Sequence, residues 1–591
     1  MSDTEIRSSL TQHAMLVAWG QFAQHIGLVH ELEAVQVHQK CRTHRPQTKV
    51  LEFLVAMLAG LPHLEDISRD AHPIDQDAAV ARAWRQPAWA DYSGISRCLK
   101  ALTLDAVAEI TQALQRSSQP FLKREIGLAM QQQGYLMYDV DLTGRPVSNT
   151  STSYPQATYG HMGDALHLGY QAALISMHSP TYGRTWLSVS HHPGNTTSHA
   201  EAEALVLAAE AATGMRPWRR IDLLRQRLRE AEDSLHQAER CAEQRQSKYK
   251  ADCEYLGVLG EQVEMLQSEA QRLEAQHALL SNPERGHSQL AQARARLTRR
   301  QGQHQRQTQR VAQAERYWRR KQAHILLRQQ RCATLQARLT RFQQDNADCV
   351  SPIRVKLRLD AGFGTWENIA LLIEMGYEIY TKPYNQRAAA SLRREVERST
   401  TWVALGDDVE MISAPSIQPA TFPYPLDVGI RRVRHGQTVT HSIFLHYGQD
   451  RVTDDLPGWL ADYNGRQTIE AGIKEGKGVF QMHHLKVRST PALALQEAFA
   501  TFAANFVRWA AFWLVTTCRT APDPWMHEAF TSPKTMVQVG AHTSAVVDWY
   551  PTGCLLRFCD QSIYAGRSLT AGNCTAQLPL LASENRLLPA I

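Results

Sequence analysis

Two apolar seams with heptad spacing are the feature that most restricts how this chain can fold. Apolar side chains recur at alternating steps of three and four, first from Leu256 to Leu280 and again from Leu290 to Phe342. This spacing lines one face of a helix that packs against another helix. The segment Ser281–Gly286 breaks the pattern between two arms of similar length. We therefore predict an antiparallel coiled-coil hairpin over residues 216–349, with arms of about 85–95 Å at about 1.5 Å per residue.

The second arm of the predicted hairpin is strongly basic. Glu315 is the only acid between Arg285 and Arg341, so pairing with acids four residues away cannot neutralise its many arginines. Arginine suits phosphate groups, which makes a polyanion the expected partner, although a plain solvated helix face is the alternative. The side chains expected to contact DNA on this arm are Arg316, Arg319, Arg320 and Lys321.

Composition and the ends of the chain predict a cytoplasmic or nucleoid-associated protein. The 591 residues are enough for several domains, and the net charge of +6 says little by itself. None of the ten cysteines forms a CxxC pair, which is typical of reduced thiols in a cytosolic protein. The first residues are polar and lack the core of a signal peptide. The most apolar stretch, Ala492–Val515, contains Glu497, Asn505 and Arg508, so we expect a buried helix and no membrane span.

The pattern of apolar residues outside the hairpin predicts an α/β core that the hairpin interrupts. We expect strands over Tyr135–Leu142, Leu166–Met177 and Thr185–Ser190, followed by a helix over His199–Ala212. After the hairpin we expect the strand Val355–Leu359, the helix Trp366–Met375 and the strand Tyr377–Lys382, and then four strands between Thr401 and His446. The predicted segments are an N-terminal helical domain expected to bind DNA (1–130), a first core part (131–215), the hairpin (216–349), a second core part (350–387), a β-rich insertion (388–455), a third core part with a glutamate-bearing helix (456–516) and a C-terminal region (517–591).

Two smaller elements lie outside this core. Ser93 is predicted to cap a short helix on which Arg97 and Lys100 lie away from the apolar face. That helix either reads DNA or belongs to a plain helical bundle, and the sequence favours neither. In the tail, Met536–Val539 and Cys554–Phe558 are predicted to be strands.

Acidic residues lie at positions where an α/β core opens to solvent. Asp139 and Asp141 point to the same side of the first strand, because side chains alternate along a strand. Two acids on one face of an apolar strand would be costly in a core. Asp360 ends the strand Val355–Leu359, and cutting a phosphodiester with two divalent ions needs carboxylates that converge in this way. Magnesium prefers such oxygen ligands.

A third acid lies on a predicted helix over about residues 458–474. At about 100° per residue, Tyr463, Arg466, Glu470 and Lys477 fall within roughly a 60° arc of one helix face, and Lys474 lies close to it. A carboxylate among cations and an aromatic ring suits a metal site beside a DNA backbone.

Four segments resemble the motifs of one branch of bacterial insertion-sequence transposases with a DDE active site. They are Asp141-x-Thr143 for the first aspartate, His192–Asn195 for a Pro-Gly-Asn turn, Leu359–Phe363 for the second aspartate, and Tyr463, Arg466, Glu470 and Lys477 for the YREK signature. The resemblance covers roughly residues 45–215 and 350–515 and favours Asp141 over Asp139 as the first catalytic acid.

The resemblance implies a ribonuclease-H-like catalytic core with a β-rich insertion before the glutamate helix. It also implies two Mg²⁺ ions, replaceable by Mn²⁺, on Asp141, Asp360 and Glu470. Arg466, Lys477 and Lys474 would hold phosphates, and Tyr463 would position the cut end. The implied enzyme cuts element ends and joins them to target DNA as a homodimer or higher oligomer. The hairpin departs from the family, and it either clamps DNA ends, pairs subunits or binds another partner.

Two other functions fit the same residues. One is a structural protein that tethers DNA through the basic arm and keeps a relic of a nuclease core. The presence of all three acids argues against it, because a relic has no reason to retain the complete set. The other is a nuclease without strand transfer, which the sequence alone does not separate from a transposase.

Overall fold

The computed structural model describes residues 7–39, 43–150, 153–279, 287–399, 401–420, 422–516 and 524–572. The helices are α1 (Ala14–His25), α2 (Leu28–Glu33), α3 (Pro46–Leu58), α4 (Asp66–Arg69), α5 (Ala78–Ala83), α6 (Tyr92–Lys100), α7 (Leu104–Gln133), α8 (Ser198–Thr213), α9 (Ile221–Ala278), α10 (His287–Ala347), α11 (Trp366–Glu374), α12 (Gln386–Ser399), α13 (Leu456–Asn464), α14 (Gln467–Gly478), α15 (Thr490–Thr516), α16 (Pro524–Thr531) and α17 (Pro533–Gln538).

The strands are β1 (Arg7–Thr11), β2 (Leu136–Pro146), β3 (Thr158–Met162), β4 (Ala165–Ser179), β5 (Gly183–Pro193), β6 (Val355–Arg358), β7 (Glu378–Thr381), β8 (Val403–Gly406), β9 (Val409–Ile417), β10 (Leu426–His435), β11 (Thr438–Tyr447), β12 (Ala545–Tyr550), β13 (Gly553–Phe558) and β14 (Ser568–Gly572). The chain divides into two compact units, Met1–Trp218 with Cys349–Ile591, and Arg219–Asp348.

The smaller unit consists of α9 and α10, which pack along each other in opposite directions. The rings of Tyr249 and Trp318 stack with centroids 5.9 Å apart, and Arg328 Nε donates to Ser234 Oγ at 3.1 Å. The partner of Ser234, which precedes Tyr249 on α9, is Arg328, which follows Trp318 on α10. Contacts in this order are expected when two helices run antiparallel. The predicted break at residues 281–286, including Arg285, lies outside the described residues.

The larger unit is built on a ten-stranded sheet in which the predicted core strands are adjacent. The order is β3-β4-β2-β6-β7-β11-β10-β9-β8, with β5 also paired to β4. Strand β4 pairs antiparallel with both β2 and β5, whereas β2, β6 and β7 are parallel. The short strand β3 was not predicted. Because β11 pairs with β7, the four strands of the β-rich insertion continue the core sheet.

Helices that cover this sheet have clear start and stop signals. Helix α8 ends at Gly214, as predicted, where a φ of 67° gives the left-handed conformation that glycine adopts at little cost. Helix α11 begins after Thr365, whose side chain accepts a hydrogen bond from the Asn368 amide. Both helices pack on the core, and both flank the segment that carries Asp360.

The N-terminal helices, α15 and the C-terminal residues share one hydrophobic core. This core joins Trp19 of α1, Phe53 of α3, Trp509 of α15 and Tyr564 of the tail. Strand β1 pairs with β12 to form a second sheet in the order β1-β12-β13-β14. The predicted N-terminal segment therefore packs within the larger unit. Helix α15 is long and apolar enough to cross a membrane, but 78% of its apolar window is buried inside the protein.

Three local predictions are wrong, each for an identifiable reason. Met536–Val539 is mainly helical, because Ser532 caps α17 and Pro533 occupies its first turn, where proline is favourable. The strand Cys554–Phe558 is confirmed as part of β13. The cap of α6 is Asp91, which accepts the Gly94 amide, whereas Ser93 donates its hydroxyl to Asp91.

The third wrong prediction concerns the glutamate helix. It is two helices, α13 and α14, which meet at Gly465 and Arg466. A β-carbon on Gly465 would lie 2.3 Å from the Arg358 guanidinium, so this corner packs too closely for a larger residue. The single helical arc predicted for Tyr463 and Glu470 therefore does not exist as one continuous face.

Candidate active site

The candidate acids are brought together by the register of two parallel strands. Asp139 of β2 lies opposite Arg358 of β6. Continuing that register by two residues places Asp141 beside Asp360, at the end of the sheet where β6 stops. The side chain of Asp360 caps the turn that follows by accepting the Phe363 amide at 3.3 Å.

Helix α14 brings the third acid to the same place through Arg466. Arg466 Nη2 lies 2.7 Å from Glu470 Oε1, and Arg466 Nη1 lies 3.7 Å from Asp141 Oδ2. The Arg466 side chain is 13% exposed, whereas that of Glu470 is 46% exposed. One buried cation is thus shared by an acid of the sheet and an acid of the helix.

The negative charges of Asp360 and Glu470 both act on Asp141. The pKa of Asp141 is raised to about 6, first by burial and then by the negative charge of Asp360, with a smaller contribution from Glu470. Arg466 and the amide of Leu142 oppose this rise. Like charges at one point raise the pKa of a carboxyl group because its ionised form is disfavoured.

The three acids have the chemistry that magnesium prefers, but their arrangement does not enclose an ion. Asp141, Asp360 and Glu470 offer only carboxylate oxygens, which are the ligands this ion prefers, and their mutual repulsion is relieved by added positive charge. Within the described ranges, no three His, Cys, Asp or Glu side chains lie close enough to enclose a metal ion. Arg466 supplies the positive charge between two of the acids in the present arrangement.

Asp139 has a different role from its neighbour on the strand. It is 2% exposed and forms a two-pronged ion pair with Arg358, with distances of 2.6 and 2.8 Å. The third nitrogen of Arg358 donates to the main-chain oxygen of Asp462 at 2.8 Å. Asp139 is therefore held inside the protein by Arg358, and it positions the strands instead of facing solvent.

The other residues of the predicted helix face, Tyr463, Lys474 and Lys477, differ in their burial and contacts. Tyr463 is buried, with its ring 5.0 Å from that of Phe444 and its hydroxyl 3.5 Å from the main-chain oxygen of Leu359. Lys477 Nζ donates to the main-chain oxygen of Gly144 at 2.9 Å, which ties α14 to β2. Lys474 is exposed on α14. Helix α14 thus presents Lys474 to solvent and holds the half-buried Lys477 against β2, whereas Tyr463 of α13 is buried.

Two further cations beside the acids were not predicted. Lys382 follows β7, and its ammonium lies 5.1 Å from the Tyr463 ring. Burial lowers the pKa of Lys382, and Arg431 and Arg466 lower it further, while Asp360 and Glu470 oppose them. Among the described residues, Nε of Arg431 is buried without a hydrogen-bond partner.

A sequence signal existed for only one of these cations. Lys382 ends a predicted strand next to that of Asp360, and the ends of parallel strands share one edge. Arg431 belongs to β10, whose position depends on the pairing of β11 with β7, and the sequence does not show that pairing.

The predicted DNA contacts of the basic arm lie on α10 of the smaller unit. Arg316, Arg319 and Arg320 are exposed, and Lys321 is half-buried. Arg319 pairs with Glu315 at 2.6 Å, so its charge is partly offset. A surface pair of this kind contributes little and would exchange readily with a phosphate partner.

Comparison with known proteins does not place the chain in a family. No protein-family model matches the sequence, and no curated protein matches it either.

The contrast between the two aspartates predicts opposite effects on stability. Asp141→Asn is expected to stabilise the metal-free protein at neutral pH. Its pKa of about 6 lies above the ordinary value of 3.8, so ionising it costs the folded state roughly 3 kcal/mol, at about 1.4 kcal/mol per pH unit. The gain is complete above pH 6, shrinks as the pH falls, and vanishes below about pH 4. Thermal unfolding midpoints in EDTA from pH 4 to 8 measure it.

Asp139→Asn, the matched comparison, is expected to destabilise the protein. The substitution leaves Arg358 charged and buried without its carboxylate, which costs about 3–5 kcal/mol. Midpoints that move in the same direction for both variants would contradict the assignment of different roles to these residues.

Proposed function

We propose that the chain is a metal-dependent DNA transposase with a ribonuclease-H-like catalytic core. The observation that carries this proposal is the sharing of one buried cation by acids from two elements. Arg466 lies between Asp141 of β2 and Glu470 of α14, while Asp360 raises the pKa of Asp141 from the adjacent strand end. Carboxylates held on a strand, at a strand end and on a helix have the rigid support that a two-metal nuclease needs.

In this proposal Asp141, Asp360 and Glu470 hold two Mg²⁺ ions. The ions, when bound, would activate water and offset charge on the phosphate that is cut. The chain's own contribution is to hold the carboxylates on a strand, a strand end and a helix. Arg466 supplies the positive charge beside Asp141 that the ions would provide when bound, and its pairing with Glu470 four residues away anchors it to α14.

The cations around the acids support a nucleic acid as the substrate. The pKa of Lys382 is lowered first by burial and then by the positive charges of Arg431 and Arg466. Phosphate oxygens would relieve that repulsion. Lys477 and the exposed Lys474 extend the cationic surface along α14, and the buried Tyr463 acts by supporting the chain at Leu359 next to Asp360.

The partners in this proposal are element ends and target DNA. Two ends are joined in one event, so the working form would be a homodimer or a higher oligomer. The two reaction steps are hydrolysis, which leaves a 3′-hydroxyl, and in-line attack of that hydroxyl on target DNA. A nuclease without strand transfer stays the second candidate, and it differs in leaving cut ends that are never joined to a target.

Glu470→Gln is expected to abolish cleavage and leave DNA binding nearly intact. The amide keeps the shape of the side chain but removes one charged ligand from a site that depends on three acids. The assay uses a labelled duplex that carries the DNA flanking the gene, with Mg²⁺ for cleavage and EDTA for binding. The matched control is Glu367→Gln, an exposed acid at the start of α11, which should cleave normally. Cleavage by Glu470→Gln at the wild-type rate would refute the site.

Replacing Arg316, Arg319, Arg320 and Lys321 with Gln is expected to flatten the salt dependence of DNA binding. Each lost phosphate contact lowers the log–log slope by up to about 0.9. Lysine at the three arginine positions is the control, since it keeps the charge and should keep the slope. An unchanged slope in the Gln variant would mean that this face of α10 contacts something other than DNA.

A further inference from the structure

A cleft between α9 and α10 of the smaller unit is lined by cationic side chains of both helices. It has a volume of about 440 Å³, and its lining residues are Arg245, Lys248, Asp252, Arg310, Gln313, Ala314 and Tyr317. The α9 residues are spaced by three and four, and the α10 residues by three, one and three. Such spacing places each set on one face of its helix. The cleft is therefore a continuous surface that runs across the seam.

The three cations of this cleft are free to bind an external anion. Arg245, Lys248 and Arg310 are exposed, and no ion pair involves them among the described residues. The Arg245 guanidinium lies 5.4 Å from the ring centroid of Tyr317, across the seam. Contact with an aromatic face holds a cation in place while leaving its hydrogen-bond donors available.

The single acid of the cleft is already engaged. Asp252 Oδ1 and its main-chain oxygen both accept hydrogen bonds from Gln307 Nε2, at 3.0 Å each. Gln307 is 3% exposed, so this contact belongs to the interior of the hairpin. Asp252 is thereby turned toward the seam, and the outer part of the cleft keeps its positive charge.

We propose that this cleft is a discrete binding site for the phosphate backbone of duplex DNA. Cations on two helices can contact neighbouring phosphates, and exposed arginine and lysine are the groups that displace counterions from a duplex. Because the site includes residues of α9 as well as of the basic α10, it differs from a non-specific attraction of DNA to α10 alone. The inference rests on the proposed function, because that function supplies DNA as the partner.

The test measures duplex binding by the full-length protein in EDTA over a series of NaCl concentrations. The probe is a fluorescent duplex of arbitrary sequence. The variant Arg245→Gln, Lys248→Gln, Arg310→Gln should lower the log–log slope by about 2 to 3, at about 0.9 per phosphate contact. The matched control is Arg240→Gln, Lys250→Gln, Arg272→Gln, which removes the same charge from exposed α9 positions outside the cleft. Its slope should stay within about 0.5 of the wild-type slope.

A charge-neutral variant tests the aromatic contact separately. Tyr317→Ala should weaken binding by about two- to fivefold, because Arg245 loses the ring that holds it. Equal losses of slope in the cleft and control variants, or a wild-type protein that does not bind the duplex, would overturn the inference. Because the assay contains no divalent metal, cleft-dependent binding by a protein that never cuts DNA would refute the proposed function and leave this inference standing.

Discussion

The buried ion pair between Asp139 and Arg358 determines where the candidate catalytic groups lie. It ties β2 to β6 in the register that sets Asp141 beside Asp360. The same guanidinium donates to the main-chain oxygen of Asp462 and lies so close to Gly465 that a β-carbon there would be 2.3 Å from it. The corner between α13 and α14 is therefore fixed against the sheet, and Arg466 follows directly after it. One arginine thus positions the strand acids and the helix acid together.

The charges of the candidate site lower the stability of the folded protein. Burial and two neighbouring acids raise the pKa of Asp141, while burial and then two neighbouring arginines lower the pKa of Lys382. Such groups weaken a protein unless they bind charged ligands of opposite sign. The neighbouring pair of Asp139 and Arg358 has none of this imbalance, since each charge is fully matched. The two neighbouring clusters therefore differ in charge balance, and only the candidate site carries unmatched charge.

Alternation and apolar spacing were enough to predict most strands and the two arms of the hairpin. They could not separate Asp139 from Asp141, because that distinction depends on Arg358 lying opposite Asp139 in the next strand. They also joined α13 and α14 into one helix, since the close approach of Arg358 to Gly465 is a tertiary contact. For the same reason the sequence did not reveal Arg431, or that α9 contributes cations to a cleft with α10.

The most direct test of the central claim is an anomalous difference map at the manganese edge from crystals soaked in MnCl₂. The account predicts density bounded by the carboxylates of Asp141, Asp360 and Glu470, with Arg466 turned away from Asp141 and Asp139 still paired with Arg358. Crystals of Asp141→Asn treated identically should show weaker density or none. A map without density at these three carboxylates, with Arg466 still between Asp141 and Glu470 at saturating Mn²⁺, would contradict a metal-dependent centre at this site.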